Sequence, residues 1–175
     1  MRIIAGQWKG RRLKPLRGRG VRPTTDRVRE AWMSALGGTL EGLRVLDLFA
    51  GSGALGLEAL SRGARHVTFV ERAHSALRVL RANVELLEAE ASCTVAEEDV
   101  FRYLRRLGAG AFDLALADPP YGTGDAVRLV DAFGREAFAR ELWLEHPWRE
   151  TLSLAPAART RRYGDTALTT IPART

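Results

Sequence analysis

The chain has 175 residues, of which 46% are hydrophobic, and it carries a formal net charge of +6. This length predicts a single domain with a small appendage and argues against two full domains. No run approaches the roughly 20 apolar residues that a membrane span requires, and no apolar signal stretch follows Met1, so we expect a cytoplasmic protein with no membrane partner. Cys93 is the only cysteine, which excludes an internal disulfide and a cysteine-based metal cluster.

The positive charge is concentrated at the start of the sequence. Residues 1–30 contain ten Lys and Arg against two acidic residues, a net of +8, so the rest of the chain carries −2. Glycines and Trp8 are interleaved with the cations, as is typical of segments that bind a phosphate backbone. We predict a basic N-terminal extension over residues 1–25, forming a hairpin that binds RNA. The candidate nucleic-acid-binding residues are Arg2, Lys9, Arg11, Arg12, Lys14, Arg17, Arg19 and Arg22. The alternative is a solvated arm that only favours solubility.

The next residues predict one helix and then a regular alternation of elements. Residues 21–25 form a predicted linker, and Asp26 is expected to cap a helix that ends near residue 36. Strands are predicted over 43–49, 65–70, 93–96, 112–117 and 142–145, helices over 54–61, 72–87, 100–107 and 125–138, and extended runs over 157–162 and 166–171. Gly164-Asp165 predicts a hairpin turn. The alternation predicts an α/β fold, a parallel sheet with helices on both faces.

Two kinds of side chain interrupt this pattern. Asn83 is a polar residue on the otherwise apolar helix over 72–87, where we expect it to bond a neighbouring loop. Trp143 and Trp148 are expected to lie in the core or at a sheet edge and not to stack on bases.

A glycine-rich turn follows the first strand of the alternating region. Gly51-Ser52-Gly53-Ala54-Leu55-Gly56 precedes a helix, and Glu71 ends the next strand twenty residues later. Glycines permit a tight turn and close approach of a ligand, and Glu71 can accept hydrogen bonds from two ribose hydroxyls. The pattern indicates a nucleotide-type site, for which NAD is the first candidate. A glycine-rich turn without a ligand is the alternative.

Three features favour S-adenosylmethionine over NAD. Asp47 would lie beside the ligand, where a carboxylate suits a cationic ammonium or sulfonium better than a pyrophosphate. Asp99 follows the third strand and is suited to bond an adenine amine, although it is equally placed to cap the next helix. The chain has no second domain to hold the substrate of a hydride donor, whereas residues 118–121 supply an acceptor site in the same sheet.

Asp118-Pro119-Pro120-Tyr121 ends an apolar run at the carboxyl end of a predicted parallel strand, where open α/β sheets bind ligands. The two prolines stiffen the backbone and remove two N–H donors, so nearby carbonyls can face a ligand. A carboxylate, a rigid backbone and an aromatic ring suit a planar substrate that carries an amine. Tyr121 would stack on that substrate, or it would only pack the turn.

The residues from Asp47 to Gly53, with Glu71, Asp99 and the Asp118 tetrapeptide, resemble class I methyltransferases that act on exocyclic amines. Four flanking segments narrow the resemblance to the RsmD family of bacterial 16S ribosomal RNA guanine-N2 methyltransferases. These segments are Arg2-Ile-Ile-Ala-Gly6, Arg22-Pro-Thr-Thr-Asp-Arg-Val-Arg-Glu30, Leu144-Glu-His146 and Arg162-Tyr-Gly-Asp-Thr166. The resemblance extends over nearly the whole chain, but residues 122–141 and 147–160 match poorly, and DNA amino-methyltransferases share the Asp-Pro-Pro-Tyr motif.

The resemblance implies a Rossmann-like class I methyltransferase domain over residues 26–175, with a mostly parallel seven-stranded sheet and an antiparallel C-terminal hairpin. It implies methyl transfer from S-adenosylmethionine to the N2 amine of a guanine in 16S ribosomal RNA, free or in an assembly particle, without a metal. Nothing in the sequence demands more than a monomer, which is the state we expect. The implied catalytic residues are Asp118, Pro119, Pro120 and Tyr121. The implied cofactor-binding residues are Asp47, Phe49, Gly51, Ser52, Gly53, Glu71, Arg72, Asp99, Val100 and Asp118.

Other functions remain open from the sequence. A DNA adenine or cytosine amino-methyltransferase and a protein glutamine methyltransferase are the enzymatic alternatives. A catalytically inactive RNA-binding protein of the same fold is the alternative from another class.

Overall fold

One seven-stranded sheet organises the chain, described here in a computed structural model for residues 1–16, 31–32, 34 and 40–174. Its strands are β1 (Arg44–Leu48), β2 (His66–Glu71), β3 (Cys93–Glu97), β4 (Phe112–Ala117), β5 (Ala139–Pro147), β6 (Arg159–Tyr163) and β7 (Thr166–Pro172). Their order across the sheet is β3-β2-β1-β4-β5-β7-β6. The first five strands are parallel, and β7 is antiparallel to both β5 and β6. The mostly parallel sheet and the antiparallel C-terminal hairpin are therefore confirmed.

Helices cover both faces of the sheet, as predicted. They are α1 (Ala54–Ser61), α2 (His74–Leu86), α3 (Val100–Leu104) and α4 (Asp125–Arg135), with a short 3-10 turn over Glu90–Ser92. Successive residues of a strand point to opposite faces, so Val45 packs in one apolar cluster with α1 and α2 while Leu46 packs in the other with α3 and α4. Within the described part of the chain, no helix is long and apolar enough to cross a membrane.

The predicted boundary between the last helix and the next strand was wrong. The helix expected over 125–138 ends at Arg135, and the strand expected over 142–145 already begins at Ala139. Apolar residues beyond Arg135 continue the helical spacing, but Phe138 turns back to pack edge-on against Phe133, with ring centroids 5.2 Å apart. Ala139 then pairs with Phe112 on β4, because sheet pairing outweighs the local pattern. The helix expected over 100–107 likewise ends earlier, at Leu104.

The N-terminal residues form a small hairpin that packs on α1. An antiparallel bridge joins Arg2 and Arg12, and Ile3 N donates to Arg11 O at 2.9 Å. The side chains of Ile3 and Leu13 are 1% and 4% exposed, in the same apolar cluster as α1 and α2.

Glu58 of α1 holds this hairpin in place. This buried carboxylate accepts from Ile4 N at 2.7 Å, from Ala5 N at 3.0 Å and from Arg62 Nε at 3.0 Å. The linker over residues 21–25, the cap at Asp26 and the domain boundary at residue 25 lie outside the described residues. Beyond that gap, Trp32 is helical and packs against Trp143, with ring centroids 6.3 Å apart.

Candidate active site

The candidate site lies where the strand order reverses at the centre of the sheet. From β1 the chain proceeds to β2 and β3 on one side, whereas β4 neighbours β1 on the other side and leads to β5. Leu48 at the end of β1 pairs with Ala117 at the end of β4. The glycine-rich turn and the Asp118 tetrapeptide therefore leave adjacent strands at the same edge, which is where open α/β sheets bind ligands.

Glycine is required at the cap of α1, Gly53, and inside its first turn, Gly56. Gly53 has a φ of +80° and caps α1, and a Cβ on it would lie 2.3 Å from Leu80 Cδ1. A Cβ on Gly56 would lie 2.4 Å from Phe69 Cε1 and 2.9 Å from Asp47 Oδ2. Glycine thus allows the turn to close onto β1 and β2 and to present the N-terminus of α1 at the carboxyl edge.

Asp47 is a buried carboxylate beneath this turn. Its side chain is 1% exposed, and its Oδ2 accepts from Gly56 N at 2.9 Å. Burial raises the pKa of Asp47 well above its ordinary value, the Gly56 N–H opposes this, and the negative charges of Asp118 and Glu71 raise the pKa further. Asp47 is therefore close enough to Asp118 and to Glu71 for their negative charges to repel its own. A cation bound among them would relieve that repulsion.

Glu71 ties the end of β2 to the glycine turn. Its Oε2 accepts from Gly51 N at 2.9 Å, and its Oε1 accepts from Arg72 N and Ala73 N, both at 2.8 Å. A carboxylate offers about four acceptor positions, so these three bonds leave capacity for a ligand hydroxyl.

Asp99 caps α3, as the alternative interpretation predicted. Its Oδ1 accepts from Phe101 N at 3.0 Å and Arg102 N at 3.1 Å, and its Oδ2 accepts from Arg72 Nη1 at 3.1 Å. A bond from Asp99 to an adenine amine stays a prediction. The side chain of Val100 is buried in the core, so only its backbone is available to a ligand.

Two other predicted cofactor residues lie on the loop after β1. Phe49 adopts a φ of +58° and meets Phe101 edge-on, with ring centroids 6.2 Å apart. The backbone carbonyl of Ser52 accepts from Asn83 Nδ2 at 2.9 Å. Asn83 also donates to Lys14 O at 3.0 Å and accepts from Lys14 N at 2.7 Å, so the predicted loop contact is confirmed and involves two loops.

The Asp118 tetrapeptide follows β4 directly. Asp118 is half-buried, Pro119 is buried, and Pro120 is exposed. The carbonyl of Pro120 accepts from Thr123 Oγ1 at 2.8 Å, which fixes the end of the turn.

Tyr121 is anchored by its hydroxyl while its side chain stays partly open to solvent. The residue is 37% exposed, and its hydroxyl lies 2.9 Å from Thr166 Oγ1 and donates to Glu145 Oε1 at 3.3 Å. Burial, opposed by the Thr166 bond and aided by the charges of Glu145 and Asp118, raises the pKa of Tyr121 to about 12. The hydroxyl therefore remains protonated at neutral pH, and the ring is held from β5 and β7.

Sequence reasoning assigned no role to Glu145 or Thr166, although both occur in the segments that carry the family resemblance. The neighbouring His146 is buried, with Nε2 2.8 Å from Thr169 Oγ1 and Nδ1 3.0 Å from Pro147 O, and burial lowers its pKa. His146 is therefore bonded within the sheet.

The N-terminal cations lie on the surface as far as they are described. Arg2, Lys9, Arg11, Arg12 and Lys14 are exposed, whereas Arg17, Arg19 and Arg22 fall outside the described residues. Among the residues that the structure describes, no three His, Cys, Asp or Glu side chains form a group that could hold a metal ion.

Known proteins are similar to this chain in sequence and in fold over most of its length. The family model described as Conserved hypothetical protein 95 matches residues 1–171. The chain is 36% identical over 160 residues to Ribosomal RNA small subunit methyltransferase D of Escherichia coli strain K12, covering 90% of this chain and 80% of that protein. It is 43% identical over 123 residues to YlbH, a proposed rRNA methyltransferase of Bacillus subtilis, covering 69% of this chain and 67% of that protein. The solved structure of yhhF, a proposed methyltransferase from Escherichia coli, superposes with a TM-score of 0.82 at 31% identity and covers 99% of both chains. On its sequence and its fold, the chain belongs to the RsmD family of class I methyltransferases.

Proposed function

We propose that this protein transfers a methyl group from S-adenosylmethionine to the exocyclic N2 amine of a guanine in small-subunit ribosomal RNA. The observation that carries the proposal is the meeting, at one sheet edge, of the carboxylates of Asp47, Glu71 and Asp118 with the glycine turn and Tyr121. The name of the Escherichia coli relative, a small-subunit ribosomal RNA methyltransferase, supports the choice of substrate.

The residues at the ends of β1 and β2 fit this cofactor. Repulsion between the carboxylates of Asp47 and Glu71 favours a ligand that carries positive charge, as the sulfonium and ammonium groups do. Glu71, with acceptor capacity left beside the turn, would hold the ribose. Asp99 would bond the adenine amine, with the backbone of Val100 beside it. When bound, S-adenosylmethionine supplies a methyl group on a positively charged sulfur.

Asp118 and the carbonyl of Pro119 would accept hydrogen bonds from the guanine amine. The lone pair of this amine is delocalised into the ring, so two acceptors draw it toward the geometry needed for attack. The rigid diproline keeps these acceptors in place, and such positioning can contribute about 7 to 11 kcal/mol to a two-reactant step. Tyr121, held by Thr166 and Glu145, would stack on the extruded base, where stacking contributes about 1 to 3 kcal/mol.

A methyl-transfer assay tests this function. The protein is incubated with labelled S-adenosylmethionine and unmodified small-subunit particles, naked 16S ribosomal RNA or duplex DNA, and the labelled nucleosides are identified. We expect label in N2-methylguanosine from a ribosomal substrate. Label only in DNA, or no label in any substrate although the cofactor binds, would refute the proposal.

The exposed cations of the N-terminal hairpin would bind the phosphate backbone of that RNA. Replacing Arg11 and Arg12 with Gln should weaken RNA binding and reduce the slope of log affinity against log salt by about 1.4, the value for two single-strand phosphate contacts. Arg78→Gln, an exposed cation on α2, is the matched control. An unchanged salt dependence of RNA affinity in the double variant would show that these cations do not contact phosphates and only favour solubility.

A further inference from the structure

A second basic surface lies on the C-terminal hairpin, although the chain after residue 30 is acidic in sum. Residues 148–163 contain Arg149, Arg159, Arg161 and Arg162 against one acid, Glu150. All four arginines are exposed, and none of them forms an ion pair with a carboxylate that the structure describes. Successive residues of β6 point to opposite faces, so Arg159 and Arg161 face away from Arg162. We call Trp148, Arg149 and Arg162 the C-terminal basic patch.

Trp148 and Arg162 form an ordered pair within this patch. Trp148 is 42% exposed, and the guanidinium carbon of Arg162 lies 5.1 Å from the centre of the indole ring, within cation–π distance. Both residues are held by the turn between β6 and β7. Trp148 N donates to Asp165 O at 2.8 Å, and Arg162 Nε donates to Gly164 O at 2.7 Å.

Strand register places this pair at the catalytic edge of the sheet. Pro147, just before Trp148, pairs with Thr166, and Thr166 pairs with Tyr163, just after Arg162. Thr166 is also the residue that anchors the Tyr121 hydroxyl. Trp148 directly follows β5, the neighbour of β4, whereas Arg162 lies on β6, three strand spacings or about 14 Å from β4.

Edge protection alone does not account for this arrangement. Charged side chains on an outer strand keep it from pairing with other chains, which explains Arg159 and Arg161 on β6. Edge protection does not explain why the half-exposed indole of Trp148 packs against the guanidinium of Arg162. An aromatic ring beside unpaired arginines suits a ligand with both a flat base and a phosphate, which is an unpaired nucleotide.

We propose that Trp148 and Arg162 form a stacking site for an unpaired RNA nucleotide that flanks the target guanine. Arg149, the exposed residue that follows Trp148, contacts a neighbouring phosphate. This site would keep the RNA strand on the sheet edge after the target base enters the Tyr121 pocket. The inference rests on the proposed RNA methyltransferase function and adds to it the residues that bind the flanking strand.

The test compares Trp148→Ala, Trp148→Phe and Arg162→Lys with two controls, Val127→Ala and Arg78→Ala. Val127 is an exposed apolar residue on α4, and Arg78 is an exposed cation on α2. Binding to a protein-free 16S ribosomal RNA fragment that the wild type methylates is measured by fluorescence anisotropy, with KM and kcat for methyl transfer. Circular dichroism and cofactor titration confirm that each variant is folded and binds the cofactor.

We expect Trp148→Ala to weaken RNA binding and to raise KM by about 5- to 150-fold, the range for losing one stacked base, with cofactor affinity unchanged. Trp148→Phe should retain most of the affinity, because a ring remains. Arg162→Lys should weaken binding more than Arg78→Ala does, because Lys keeps the charge but loses the planar group. RNA should quench tryptophan fluorescence in the wild type more than in Trp148→Phe.

Other outcomes separate failure of this inference from failure of the proposed function. If the wild type methylates RNA but Trp148→Ala matches Val127→Ala in RNA affinity and KM, the stacking site is refuted and the function stands. If Trp148→Ala weakens binding to assembled particles but not to protein-free RNA, the pair contacts a protein, and the inference is also refuted. If the wild type neither binds nor methylates RNA, both proposals fail.

Discussion

Removing the carboxylate of Glu58 should detach the N-terminal hairpin from the domain. In Glu58→Ala, Ile4 N and Ala5 N lose a charged acceptor, and Arg62 loses an ion pair in which both side chains are buried. Hydrogen bonds to charged groups contribute about 1.5 to 3 kcal/mol each, so the two backbone bonds account for about 3 to 6 kcal/mol. Breaking a buried ion pair by removing one partner costs about 3 to 5 kcal/mol. All three bonds end on one carboxylate, so these two figures overlap and are not summed; we expect the free energy of unfolding to fall by about 3 to 5 kcal/mol.

Urea unfolding measures this loss, provided that the slope of unfolding free energy against urea concentration is the same in the variant and the wild type. Amide exchange at Ile4 and Ala5 should accelerate by roughly 100- to 4000-fold if the hairpin opens locally, the factor that corresponds to this loss. Glu58→Gln keeps one acceptor oxygen and should lose less, about 1 to 3 kcal/mol. Glu85→Ala, an exposed carboxylate on α2, is the control and should change stability by no more than about 0.5 kcal/mol. A loss below about 1 kcal/mol in Glu58→Ala, with unchanged exchange, would show that Ile3 and Leu13 dock the hairpin without the carboxylate.

Three further predictions concern the site itself. Asp118→Ala should abolish methyl transfer while calorimetric affinity for S-adenosylmethionine stays nearly unchanged; a collapse of affinity would make Asp118 a cofactor ligand instead. The pKa of Asp47 is higher in the folded than in the unfolded protein, so its ionisation lowers stability as the pH rises above about 3.8 toward the folded pKa. Asp47→Asn should therefore become more stable relative to the wild type as the pH rises, as measured by unfolding curves without cofactor. An equal pH dependence of stability in both proteins would contradict this. Tyr121→Ala should raise KM for RNA by about 5- to 150-fold, and Tyr121→Phe, which keeps the ring, by much less; equal effects would assign the role to the hydroxyl.

Local patterns allowed most of the architecture to be predicted. The alternation of short β-rich runs with apolar-faced helices predicts a parallel sheet, because both periodicities are properties of adjacent residues. The glycine turn, with Glu71 at the end of β2, was likewise readable, since spacing along the chain places these residues at one edge. The hydrogen bond between Gly51 and Glu71 could not be predicted in this way, because it depends on how β1 and β2 pair.

Contacts between distant residues could not be read in this way. Glu58 bonds residues 53 and 54 positions away, and only its isolation in an apolar helix, where all its neighbours from Leu55 to Ser61 are buried, hints at a structural role. Trp148 was expected to lie in the core or at an edge. It lies at an edge, but its stack with Arg162 appears only when β6 folds back beside it. The net charge after residue 30 concealed the local excess of arginine there.

The contacts of Asn83 also bear on the order in which the chain acquires its structure during synthesis. Lys14 leaves the ribosome 69 residues ahead of Asn83, and Arg11 leaves it 75 residues ahead of Leu86, whose carbonyl it binds. At about 5 to 20 residues per second, Lys14 waits about 3 to 14 s for that partner. The bonds of the hairpin to Glu58 can form once α1 has emerged, whereas those of Lys14 and Arg11 form only after α2 has emerged. A nascent chain stalled before residue 83 would lack these last two contacts, and completing α2 would add them.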